Sequence, residues 1–293
     1  MILVVGATGL VGSEICRLLT EKGKDVRAMV RATSAPAKVQ QLKDFGAETV
    51  VGDLKDQASL ERACRGVDAV ITTANTMHGR MEGDCFDAVD RQGQIDLIDA
   101  AKHAGAKKFV FVSAPAMKDG LPLMEAKDAV ENHLKSAGMD YTVLKPSCFM
   151  EIWLSPMLGF DAANGSARVC GTGENKLNWI SYRDVAGFAV ESLENPDARN
   201  AVIELGGPEP LSPLEVVAKF ESASGKKFQI EHVPEEALTQ QFSGATDELQ
   251  KSFAGLMLFS SGGHEVDMTP VLASFPIELT SVDDFAKRVV RGD

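Results

Sequence analysis

The opening of the chain, a run of aliphatic residues broken by closely spaced glycines, constrains the fold more than any other stretch. Residues 1–5 read Met-Ile-Leu-Val-Val, the composition of a strand buried on both faces. Glycines follow at positions 6, 9 and 12 in GATGLVG, and Val11, Ile15, Leu18 and Leu19 then fall at helical spacing. A strand, a glycine turn and a helix in that order bring a helix N-terminus to the carboxyl end of a strand. With no side chain at the tight turn, a pyrophosphate can approach backbone N–H groups and the positive end of the helix dipole. Gly6, Thr8, Gly9, Leu10, Val11 and Gly12 would form that cradle, with Gly12 letting helix and strand pack closely. The alternative is a glycine-rich turn that holds nothing. A lone glycine triplet is weak evidence, but here it sits in the strand–turn–helix context that dinucleotide binding requires.

The alternation continues through the first half. Residues 26–30, 48–51, 68–73, 108–113 and 141–144 have strand composition, and 84–104 and 123–137 carry the clearest helical patterns. This pitch predicts an α/β fold, a Rossmann-type doubly wound parallel sheet covered on both faces. After Pro146 the rhythm loosens. A helix is expected over 181–193, a strand over 201–205, a helix over 213–222 capped by Ser212, a strand over 228–233, and a closing helix over 281–290 capped by Ser281. Residues 165–178 and 260–267 are rich in turn formers. The expected organisation is a dinucleotide-binding core over 1–150, then a smaller, partly interleaved C-terminal region over 151–293 that contributes to the substrate cleft.

Cofactor choice turns on the end of the second strand. A site for NAD would place Asp or Glu there to accept from the ribose 2′-hydroxyl. The sequence offers Met29, Val30, Arg31 and Ala32, and Asp25 lies at the wrong end of the strand. The guanidinium of Arg31 suits a 2′-phosphate, which points to NADPH/NADP; otherwise Arg31 is a solvated loop charge. Lys38 is either an assistant or a solvated helix residue. The net charge of −12, from 42 acidic and 30 basic residues, argues against a nucleic-acid partner. The five cysteines are dispersed, with no C-x-x-C pair, as in a reducing compartment. With no basic leader ahead of an apolar stretch, and no uncharged run long enough for a bilayer, a cytoplasmic protein without a membrane partner is expected.

The ordered set of motifs GATGLVG, VRAMVR, GDLKD, KKFVFVSA, AKDAVENHLKSAGMDYTVLKPSCFME, ISYRDVAGFAV, GGPEPLSPLEVV and TSVDDFA spans most of the chain. In this it resembles the NmrA-like group of atypical short-chain dehydrogenases/reductases, which includes isoflavone-reductase-like and quinone-reductase-like proteins. The resemblance implies that Asp53, with Leu54, contacts the adenine, and Asp53 independently ends a strand where ligands of open α/β sheets collect. It implies that Thr73, Ala74 and Asn75 line the passage toward the nicotinamide, though Thr73 is equally ordinary strand packing. Ser113, ending strand five, lies near the substrate or serves a turn.

Lys127 matches the lysine of the Tyr-x-x-x-Lys pair found in many short-chain dehydrogenases, where Tyr moves a proton and Lys binds the nicotinamide ribose. Four residues earlier stands Leu123, which exchanges no proton. Lys127 is thus expected to bind ribose and to supply a proton through water, or else to be a solvated helix charge. His78, in the loop after strand four, is a further candidate donor. Pro146 and Phe149 follow strand six on the cofactor side, and Phe149, Met150 and Trp153 are expected to face the substrate. Trp153, Met157 and Phe160 form an apolar wall or simply core. His103, His133, His232 and His264 show no metal-ligand spacing, so no metal is expected.

Together these imply an NADPH-dependent reductase that passes hydride to a small conjugated or aromatic acceptor: a quinone, enone, imine or azo compound. The rival is an NADP(H) redox sensor that regulates a protein partner without turnover. A nucleotide-sugar epimerase or dehydratase fits less well, since it would keep the tyrosine. A small-molecule acceptor is the expected partner, alongside a homo-oligomeric copy or a regulatory protein.

Overall fold

In the computed structural model, residues 1–77, 79–117 and 120–292 are described. They form two compact units, each assembled from three stretches of chain. The first comprises Met1–Ala114, Leu123–Lys145 and Val185–Ile203; the second comprises Pro115–Pro122, Pro146–Asp184 and Glu204–Asp293.

The first unit is organised by a sheet of seven strands. These are β1 (Ile2–Val5), β2 (Val26–Val30), β3 (Glu48–Val51), β4 (Ala69–Thr72), β5 (Lys108–Val112), β6 (Asp140–Pro146) and the strand Ala201–Leu205. Their order is Ala201–Leu205, β6, β5, β4, β1, β2, β3. The pairs that join β1 to β6 are all parallel. This is the doubly wound topology expected from the alternating pattern, with its switch point between β1 and β4, where the chain direction of winding reverses.

All four residues of β1 and of β4 are buried, as continuous aliphatic runs require. The edge strand β3, Glu-Thr-Val-Val, is not. Helix Leu10–Glu21 buries Gly12, Ile15, Cys16 and Leu19, a stripe at helical spacing. Removing Ile15 and Leu19 from water contributes about 1.5–3 kcal/mol each.

The expected helix over 84–104 divides in two: Phe86–Gly93 is π-helical and Gln94–His103 is α-helical. At the junction, a Cβ on Gly93 would stand 2.7 Å from the carbonyl oxygen of Leu54, so only glycine lets the widened turn pack there. Such turns redirect side chains and recur at functional sites. Here the turn carries Asp90 into the interior.

In the second unit, residues 165–178 are not a plain connection. They contain all of Ser166–Cys170 and the start of Leu177–Ile180, both strands. Ser166–Cys170 pairs parallel with Gln229–Val233 and antiparallel with Phe160–Asp161. Leu177–Ile180 pairs parallel with Cys148–Phe149 and antiparallel with Pro210–Leu211. Helix Glu248–Gly262 runs into the expected turn region at 260–267. The caps expected at Ser212 and Ser281 are present, the former as a full capping box with Glu215. Phe160, Phe220, Phe228 and Phe285 pack as an aromatic core, with Phe160 and Phe220 centroids 4.7 Å apart.

Candidate dinucleotide site

The glycine turn lies at the carboxyl ends of β1 and β4. Gly6 has φ of 81°, a left-handed conformation that favours glycine. A Cβ there would lie 2.6 Å from Thr73 Oγ1 and 2.8 Å from the Ala74 nitrogen. A Cβ on Gly12 would come within 2.2 Å of the Gly6 carbonyl oxygen. Turn, helix and the end of β4 therefore approach as closely as backbone permits. Gly9 caps the helix with no side-chain acceptor, and its first turn carries no acid. Those N–H groups and the dipole are directed at whatever anion arrives. Lys38 adds a cation, its Nζ donating to the Thr8 carbonyl at 3.1 Å.

At the ends of β2 and β3 lies a cavity of about 350 Å³, whose lining includes Arg31, Val51, Asp53, Lys55, Arg62 and Met81. That volume falls within the usual range for small-molecule pockets, about 300–1,000 Å³. Its walls hold two unusually exposed apolar residues, Val51 at 59% and Met81 at 38%. Arg31 Nη1 and Lys55 Nζ both donate to Asp84, at 2.9 and 2.5 Å. Burial works against ionisation of Asp84, but hydrogen bonds from Lys55 and the Met81 N–H, with Arg31 nearby, hold its carboxyl below the usual range. Asp53 accepts from the Lys55 N–H at 2.9 Å. Leu54 is buried in the core cluster, so its side chain gives the cavity nothing.

A second group of charges lies beneath the ends of β4, β5 and β6. Lys127 is 7% exposed, so it is not a solvated helix charge. Its Nζ donates to the Val112 carbonyl at 3.3 Å and stands 5.1 Å from the centre of the Phe111 ring. Burial pushes its pKa below the ordinary lysine value, while Asp90 and Glu131 pull it back up. Asp90, 2% exposed, has its pKa raised by burial; the Thr76 N–H donates to both of its oxygens at 3.2 Å and Thr76 Oγ1 donates to Oδ2 at 2.5 Å. Glu131, 4% exposed, accepts from Ser113 Oγ at 2.7 Å and faces Lys145 Nζ at 3.0 Å. Gln94 ties the end of β4, accepting from Thr72 and donating to the Ala74 carbonyl.

Of the expected site residues, the first unit thus brings together the glycine turn with Thr73 and Ala74, and Ser113 with Lys127 through Glu131. Asn75 is exposed, its Oδ1 accepting from the Met77 N–H. Leu123 is 4% exposed. Pro146 and Phe149 belong to the second unit, where Phe149 pairs with Ile180. Met150 is fully buried in that unit's hydrophobic cluster, so it is core and not a substrate wall; Trp153 packs against the same cluster, half-buried. His78 lies outside the described residues. Among the described residues, no group of acids, histidines and cysteines is placed to hold a metal, and no helix is long and apolar enough to cross a membrane.

Lys55, Asp84, Asp90, Glu131 and Lys145 were not singled out from sequence. One signal was present: Glu131 stands four residues after Lys127, on the same helix face.

A doubly wound sheet with a glycine turn at its switch point defines a Rossmann-type dinucleotide-binding fold. A model of the NmrA-like family matches residues 1–286, and the chain belongs to that family. It is 32% identical to an NAD(P)H azoreductase of Xenophilus azovorans, over 83% of this chain and 81% of that protein. It is 30% identical to a photosystem II assembly factor of Synechocystis, over 97% of this chain and 89% of the other. The fold also matches an NADPH-dependent quinone oxidoreductase of Escherichia coli solved with NADPH, with a TM-score of 0.78 and 22% identity over 99% of each chain.

Proposed function

We propose that this chain is an NADPH-dependent reductase of small conjugated or aromatic acceptors such as quinones, enones, imines or azo compounds. The observation that carries this is the glycine cradle, where side chains at Gly6 or Gly12 would collide with backbone, together with the cavity at the ends of β2 and β3 that Arg31 and Lys55 line. Those residues fit a phosphorylated dinucleotide. The turn and the helix N-terminus bind the pyrophosphate, Arg31 the 2′-phosphate and Asp53 the adenine. Lys127 holds the nicotinamide ribose.

NADPH, when bound, supplies the hydride. The chain supplies orientation. Leu123, buried and apolar, moves no proton where many short-chain dehydrogenases use tyrosine. The acceptor must therefore spread the incoming charge over a conjugated system that water can protonate, which disfavours simple carbonyls. Support for the acceptor class comes from the azoreductase relative.

The test is NADPH oxidation, followed by near-ultraviolet absorbance across quinones, enones, imines and azo dyes. Turnover with at least one class is expected. Tight NADPH binding with no turnover on any of them would overturn the reductase and favour a second reading, an NADP(H)-sensing regulator of a protein partner. The assembly-factor relative and the missing tyrosine favour that alternative.

A further inference from the structure

Arg31 and Lys55 reach the cavity from neighbouring strand ends, and both rest on one carboxylate. Asp84, whose side chain is 2% exposed, accepts from Arg31 Nη1 and the Met81 N–H on Oδ2, each at 2.9 Å. Its Oδ1 accepts from Lys55 Nζ at 2.5 Å. Lys55 Nζ also donates to the Glu82 carbonyl at 3.2 Å. Two cations that share the two oxygens of one small carboxylate lie within reach of one phosphate.

Both heads keep capacity to spare. A guanidinium has five N–H donors and an ammonium three, so neither is exhausted by these bonds. Their side chains are 42% and 28% exposed, open to a ligand from the cavity. A free lysine on a surface loses rotamer freedom when it meets a phosphate; one already fixed at two acceptors loses much less. Asp84, for its part, already accepts from three donors and its side chain is 2% exposed, which leaves it a poor acceptor for a ribose 2′-hydroxyl. Of the acids on the lining, Asp53 accepts from the Lys55 N–H, Asp56 from the Ser59 N–H, and the Glu82 carbonyl from Lys55 Nζ. Arg62 lies 3.9 Å from Asp56.

We propose that Lys55 is a second ligand of the cofactor's 2′-phosphate beside Arg31, and that Asp84 is the positioning residue that holds the two cations together for it. The proposal rests on the NADPH reading above. It accounts for a preference for the phosphorylated cofactor: the phosphate meets two cations already held side by side on Asp84.

The test is a fluorescence titration of NADPH and NADH at one ionic strength, on wild type, Lys55→Met, Lys55→Arg, Asp84→Asn and the double variant Lys55→Met/Asp84→Asn. Lys55→Met is expected to cut the preference for NADPH over NADH by about tenfold, the loss of one charge-assisted hydrogen bond. Lys55→Arg keeps the preference within about threefold, since charge and donors remain. Asp84→Asn lowers it by about threefold alone and by less than that on top of Lys55→Met, because only its hold on Arg31 then remains to be lost. A preference unmoved by Lys55→Met overturns the proposal while leaving the NADPH reading intact. If Asp84→Asn shifts both affinities equally, the carboxylate is structural only and its positioning role is overturned. Wild type that binds neither cofactor overturns the NADPH reading, and this one with it.

Discussion

The two charged regions of the first unit are built on opposite physical terms. At the ends of β2 and β3, Arg31 and Lys55 stand partly in water, so their attraction to Asp84 is screened and contributes little to stability. Beneath β4, β5 and β6, Asp90, Lys127 and Glu131 are each at most 7% exposed. There each ion is tolerable only because the others are present. The first arrangement can gain or lose a charge and leave the fold intact. The second ties a candidate ribose contact to the integrity of the sheet.

Removing the hub of the buried group gives the largest expected effect. Glu131→Ala leaves Lys145 and Lys127 without their shared partner, and should cost about 3–5 kcal/mol of stability in urea unfolding. A loss below about 1 kcal/mol would mean that water reaches the cluster, and the contrast would dissolve. In the cavity, Arg31→Ala should leave stability within about 0.5 kcal/mol. The same variant should lower the preference for NADPH over NADH by about tenfold, or about 1.4 kcal/mol, in paired titrations. An unchanged ratio removes Arg31 from the phosphate site.

The smallest effect concerns pH. Burial holds Lys127 below the ordinary lysine range, so the folded protein releases this proton at lower pH than the unfolded chain does. In that window the unfolded chain binds more protons, and stability rises with pH toward about pH 10.4, by at most about 1.4 kcal/mol per unit. Lys127→Met should remove that contribution, read as a flatter plot of unfolding free energy against pH. Parallel plots would show an ordinary lysine.

Much of the first unit was legible because its signals are local. The aliphatic strand, the glycines and the helical stripe of Ile15 and Leu19 lie within 20 residues of each other, and the sheet follows from their alternation. Arg31 could be placed because it ends a recognisable strand. The missed strands, Ser166–Cys170 and Leu177–Ile180, are short, and Gly171 and Gly173, both at positive φ, separate them. The parallel partner of the first, Gln229–Val233, lies some sixty residues away, so no neighbouring pattern announces it. Glu131 and Asp90 were illegible for a different reason. A charged residue on a helix reads as solvated until its neighbours are known, and those neighbours are Lys145 on β6 and Thr76 beyond β4. Met150 shows the converse: a position beside a candidate site does not decide which way a side chain faces.

The divided composition of the first unit bears on how the protein is made. Its last stretch, Val185–Ile203, follows the whole of Pro146–Asp184, which belongs to the second unit. On a ribosome adding about 5–20 residues per second, β6 would wait roughly 3–11 s before the strand that flanks it begins to emerge. For that interval a nascent sheet presents an unpaired hydrophobic edge, the kind of surface that invites mispairing and engages chaperones. Neither unit corresponds to one continuous segment of the gene, so neither can be inherited, duplicated or expressed as a simple fragment.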